Sequence, residues 1–107
     1  MSERKAILIS YDTKKKRFKS LYERNKFYRG LFGFKQTVKR GKKKYNYDKK
    51  GLLDQIPHIK VEDSVFIISK KNLKKLISYL EEWEDKVTYN TFKVVLDEDE
   101  WKEIEIE

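Results

Sequence analysis

The sequence predicts an α+β domain: two helices packed on one face of a mainly antiparallel sheet of four to five strands. The expected order is strand, helix, hairpin, strand, helix, strand, a ferredoxin-like or related arrangement. Three observations carry this. Residues 6–11 (AILISY) and 64–69 (SVFIIS) are short branched apolar runs with the length of buried strands. Leu73, Leu76, Ile77, Leu80 and Trp83 recur at helical spacing. Between them, two alternating runs flank Gly41, the pattern of a hairpin.

Taken in order, residues 6–11 read as a central strand closed by Asp12. Residues 14–30 carry Phe18, Leu21, Tyr22 and Tyr28, with Leu31 next in line, at spacings of three and four or their sums, which predicts an amphipathic helix. Asp12 or Thr13 would cap it, and Gly30 or Gly33 would end it. A competing reading makes residues 12–16 a turn and 17–22 a second strand. Residues 34–40 (FKQTVKR) place Phe34, Gln36, Val38 and Arg40 on one face, and residues 42–47 (KKKYNY) alternate again, with Tyr45 and Tyr47 sharing a face. Residues 48–51 (DKKG) read as a turn, and residues 52–56 as one helical turn stopped by Pro57. His58 then falls in a loop. The second helix spans residues 70–85 with Ser69 or Asn72 as N-cap. Residues 91–96 (TFKVVL) form a strand, 97–100 an acidic turn, and 101–106 a terminal strand or ragged helix. The helix-covered face of the sheet is expected to hold Ile7, Ile9, Val65, Ile67, Val94 and Leu96 or their strand neighbours.

A chain of 107 residues is one domain, 1–107, and its 30 Leu, Ile, Val and Phe residues suffice for a modest core. It has no cysteine, so disulfides, thiolate metal sites and cysteine nucleophiles are excluded. It has no long apolar run and no secretory leader, so a cytoplasmic protein that does not enter a membrane is expected. A charged fraction of 41 %, rich in Lys and Glu, resembles a thermophile's composition.

Charge carries the functional expectation. Residues 1–60 hold 19 Lys and Arg against 5 Asp and Glu, and residues 61–107 hold 7 against 13. A concentrated basic surface suits a phosphate-bearing partner. Residues 14–50 contain 16 of the cations and eight of the aromatic residues, which serve phosphates and unstacked bases respectively. The sequence therefore predicts a small nucleic-acid-binding protein, for RNA or DNA. Its contact residues are Lys14, Lys15, Lys16 and Arg17 at a helix start, with Lys35, Lys39, Arg40, Lys42, Lys43, Lys44, Tyr45 and Tyr47 on the hairpin. Lys outnumbers Arg there, which favours backbone contact over base reading. Cations at a helix start oppose its dipole, and a bound anion would relieve that cost.

Two alternatives accompany this reading. One is a protein–protein adaptor or inhibitor, of viral or mobile-element type, using the basic face and the acidic C-terminal segment for a partner or for self-association. The other is a Mg²⁺-dependent nuclease using Asp12 with Glu62 or Asp63. No phosphate-cradling glycine loop, nucleophile elbow or His-Glu-x-x-His motif is present, so no catalytic residue, metal ligand or cofactor is assigned. Residues 7–12 (ILISYD), the basic helix and residues 33–38 (GFKQTV) faintly resemble the small ferredoxin-like subunit of the CRISPR adaptation complex. In that family an Asp ends the first strand and a Gln-x-Ser-Val strand follows the helix. This chain is one residue short, lacks the Ser and carries an insertion at 39–63, so the resemblance is not adopted and leaves Asp12 as a minor metal-ligand candidate.

Overall fold

A computed structural model describes residues 4–104. Among these residues six strands and four α-helices follow one another: β1 (Arg4–Thr13), α1 (Leu21–Phe32), β2 (Phe34–Arg40), β3 (Lys43–Lys49), α2 (Leu52–Gln55), β4 (His58–Glu62), β5 (Val65–Ile68), α3 (Lys70–Glu81), β6 (Val87–Leu96) and α4 (Glu98–Ile104). The main sheet has the order β4-β5-β1-β6, antiparallel throughout. Without the β2–β3 ribbon, α2 and the terminal α4, this is a β-α-β-β-α-β chain in which each helix connects two strands that flank a third, the split β-α-β arrangement. The α+β expectation holds. The hairpin, however, lies outside the main sheet as a separate two-stranded ribbon.

The core lies between the sheet and helices α1 and α3. Ile7, Ile9 and Tyr11 of β1, Phe66 and Ile68 of β5, and Val87 of β6 face Phe27, Leu31, Leu76 and Leu80. In β5 it is therefore the neighbours Phe66 and Ile68 that face the helices, while Ile67 lies on the opposite face. Val94 and Leu96 also turn away, packing with Ala6, Ile59, Trp101 and Ile104 beneath α4. Residues 97–100 are not a free turn. Asp97 Oδ1 accepts from the Glu100 N–H at 2.8 Å, and Glu100 Oε1 accepts from the Asp97 N–H at 3.1 Å. That reciprocal cap, with three acids in the first turn, starts α4 where the dipole favours negative charge. Of the predicted terminal element, residues 105–106 lie outside the described residues.

The predicted start of α1 moves. Residues Lys15–Arg17 form a separate 3-10 turn, and the helix begins at Leu21. Ser20 Oγ accepts from the Glu23 N–H at 3.1 Å, and Glu23 Oε1 accepts from the Lys19 N–H at 3.0 Å, so residue 20 caps and neither Asp12 nor Thr13 does. Lys86, bridging Glu23 at 3.3 Å, and the Lys19 amide hold the Glu23 carboxyl below its ordinary range, the amide being the larger cause. Leu21 and Tyr22 are 70 % and 75 % exposed, so of the expected stripe only Tyr28 and Leu31 within α1 pack on the core, where they are joined by Phe27. His58 opens β4 rather than lying in a loop; its Nδ1 is 2.8 Å from the Ile56 carbonyl and its ring meets the Phe66 ring edge-on. Residues 48–49 extend β3, where Asp48 faces Lys35 and Lys49 faces Phe34.

Both ends of the ribbon are fixed by close backbone contact. Gly33 has φ 83°, and a Cβ there would lie 2.8 Å from the Gly51 nitrogen and 2.9 Å from Asp54 Oδ2. Asp54 Oδ2 in turn accepts from the Gly51 N–H at 2.7 Å. Gly33→Ala should therefore cost about 2–3 kcal/mol, through the positive φ and the crowding together, and a lowered urea midpoint measures it. No change would mean that the ribbon root is loosely held.

Candidate nucleic-acid interface

The ribbon stands out from the body. Of its fourteen strand residues all but Val38, which is half-buried, are exposed. Seven residues of strand reach about 24 Å. The radius of gyration is 16.5 Å, with extents of 60 × 35 × 20 Å, whereas a compact chain of this length would have about 13 Å. The turn at Gly41 has φ 64° and places Lys42 at the tip. One face carries Phe34, Gln36, Val38 and Arg40 opposite Lys49, Tyr47, Tyr45 and Lys43; the other carries Lys35, Thr37 and Lys39 opposite Asp48, Asn46 and Lys44. The alternation predicted for these residues is thus the observed one.

Tyr45 and Tyr47 are 41 % and 44 % exposed, side by side on a single face. On the other face the Thr37 hydroxyl donates to Asn46 Oδ1 at 3.0 Å, tying the strands at mid-length. Among the described residues no ion pair joins a ribbon cation to a carboxylate; the pairs are Lys60–Asp63, Lys86–Glu23 and Lys86–Asp85. The acidic helix α4 lies on the opposite face of the main sheet and does not cover the ribbon.

Lys14, Lys15, Lys16 and Arg17 are not gathered with the ribbon. Their turn adjoins the start of β6, with the Lys14 N–H donating to the Lys86 carbonyl at 2.8 Å and Arg17 Nη1 to the Asp85 carbonyl at 3.2 Å. The twelve residues of α1, about 18 Å, separate them from the ribbon root. Since the turn precedes the helix by several residues, the expected clash between cations and the helix dipole does not arise.

A groove of about 470 Å³ lies between α1 and α3 at the ribbon root. Tyr22, Lys26 and Arg29 line it from α1 at positions i, i+4 and i+7, Phe34 and Lys50 from the two ends of the ribbon, and Trp83 from beyond α3. The Arg29 guanidinium lies 4.9 Å from the centre of the Phe34 ring. Tyr79 forms part of the floor, its hydroxyl donating to the Phe27 carbonyl at 2.6 Å. It lies against Gly30, where a Cβ would strike the phenol. These groove residues were missed as a site because Tyr22 reads as part of the apolar helix stripe; the signal available was Lys26 and Arg29 in register with it.

Burial pushes the Tyr79 phenol up to about 12 from 10.0. The folded state then keeps a proton that the unfolded chain releases, so this contribution to stability is complete below about pH 10 and is lost as pH rises through about 12. Urea midpoints measured from pH 9 to 12 should fall more steeply for the wild type than for Tyr79→Phe. Equal slopes would contradict the burial.

Asp12 and Asp63 face a second cleft, of about 380 Å³, beside Lys60, Tyr11 and Tyr28. Asp63 pairs with Lys60 at 3.2 Å, and no group of three or more His, Cys, Asp or Glu residues suited to a metal occurs among the described residues. Among the described residues no helix is long and apolar enough to cross a membrane. Compared with family models, curated proteins and solved structures, the chain finds no match.

Proposed function

We propose that this protein binds nucleic acid by its phosphate backbone, with the β2–β3 ribbon as the principal grip. One observation carries the reading: the ribbon projects from the body with Lys35, Lys39, Arg40, Lys42, Lys43 and Lys44 exposed and, among the described residues, joined to no carboxylate by an ion pair. Phosphates bound there release condensed counterions, which makes affinity steeply dependent on salt. A two-stranded ribbon is also narrow enough to follow a groove or lie along a strand. Lysines carry most of this charge, so contact is with the backbone and sequence preference is modest. The role requires no chemical step.

Dissociation constants for duplex DNA, single-stranded DNA and RNA, each at about 50 and about 200 mM salt, test it. The expected result is binding that weakens by at least tenfold between the two conditions, as several phosphate contacts require. Binding indifferent to salt, or none at all, would overturn the proposal.

One observation favours protein contact as a second reading. Strand β6 is a ten-residue free edge bearing the exposed side chains of Phe92 and Val95. Such edges invite pairing with another chain. This edge belongs to the main sheet and not to the ribbon, so a protein partner there would act beside nucleic-acid binding.

A further inference from the structure

We infer that the groove at the ribbon root seats an unpaired nucleobase, so that the bound strand is single-stranded where it meets the body of the protein. The inference rests on the nucleic-acid reading above and narrows its substrate class. Tyr22 is 75 % exposed and Phe34 37 % exposed, although both are large aromatic side chains beside a core that has taken in Phe27, Phe66 and Phe18. Exposed rings bordering one concavity offer π-faces to a base, and stacking of this kind tolerates any base identity. A duplex keeps its bases stacked on one another and offers no such face, whereas an unpaired nucleotide does.

The charges of the groove match the backbone that would accompany the base. Lys26, Arg29 and Lys50 stand against a single acid, Glu82. The volume of about 470 Å³ lies within the roughly 300–1,000 Å³ typical of small-ligand sites. Arg29 already lies over one face of Phe34, which fixes that ring and supplies a cation beside it.

The groove also continues into the ribbon. Phe34 shares its ribbon face with Tyr47 and Tyr45. Same-face positions along a strand recur about every 7 Å, so the rings form an aromatic track leading out from the groove. Arg40, Lys43 and Lys49 lie on that same face. A single strand entering the groove would therefore have rings for its following bases and cations for its phosphates.

The test uses labelled oligo(dT) and oligo(U) of about 15 nucleotides, a duplex of equal length, and inorganic polyphosphate as a ligand without bases. Tyr22→Ala should weaken both single strands at least about fivefold, and Phe34→Ala likewise, while duplex and polyphosphate change by less than about twofold. Tyr22 is on the surface, so its replacement leaves the fold intact. In a Trp101→Phe background, saturating oligo(dT) should quench the remaining Trp83 fluorescence, since Trp101 lies on the far side of the sheet. Equal losses on all probes, no loss on single strands, or unquenched Trp83 would overturn the inference. If Lys42, Lys43 and Lys44 reversed to Glu weaken every probe while Tyr22→Ala weakens none, the groove alone is refuted. If the wild type binds no probe, both proposals fall. The oligo(dT) and oligo(U) arms separate DNA from RNA as the source of the base.

Discussion

Reversing Lys42, Lys43 and Lys44 together to Glu is expected to lower nucleic-acid affinity on the order of a hundredfold at about 0.15 M salt, across all sequences tested. Each phosphate contact contributes a slope of about −0.9 in log affinity against log salt for duplex DNA, so losing three contacts flattens the slope by about three. The three residues surround the ribbon tip, exposed and far from the core, so the substitution should not unfold the body. Unchanged binding in filter or anisotropy titrations would remove the ribbon from the interface. Reversing Lys14, Lys15 and Lys16 is the informative comparison. These lie at the other end of α1, and a strand held by the ribbon alone would be indifferent to them.

The ribbon was legible because strand alternation is a local property. Phe34, Gln36, Val38 and Arg40 share a face whether or not anything packs against it. The helix stripe of α3 was legible for a related reason: Leu76 and Leu80 are apolar, helically spaced and buried. Elsewhere, local pattern was a poorer guide than competing interactions. Leu21 and Tyr22 share helical spacing with Leu31 and Tyr28, yet the sheet has room for only one strip of α1, and Phe27 fills it. Strand β4 has five residues behind a proline, too short for alternation to speak, and pairing with β5 makes it. The position of α4 under the sheet was hidden in a run of acids, whose first members serve as a cap. The candidate groove was least legible of all. Its residues come from 22, 26, 29, 34, 50 and 83: the packing of α1 on α3 sets the first three beside Trp83, and the closure of the ribbon root at Gly33 and Gly51 adds Phe34 and Lys50.

Phe27→Ala is expected to be the most damaging single change to stability. The side chain is wholly buried, and its ring lies 5.2 to 6.3 Å from those of Tyr11, Phe18, Tyr28, Tyr79 and Trp83. Those five come from β1, the segment before α1, α1 itself, α3 and the turn beyond it, so a single ring joins both helices to the sheet. Truncating a buried Phe costs about 3–5 kcal/mol through lost transfer energy and the remaining cavity, against a total stability of about 5–15 kcal/mol for such a domain. The melting temperature should fall by roughly 15 °C or more. Phe92→Ala, on the open side of the sheet where the ring is largely exposed, should change stability by no more than about 0.5 kcal/mol. Denaturant melts of the two variants side by side decide the matter. Similar losses would mean that Phe27 does not join the layers, while a large loss confined to Phe27→Ala also predicts weakened binding in the groove, because Tyr79 and Trp83 line it and lean on that ring.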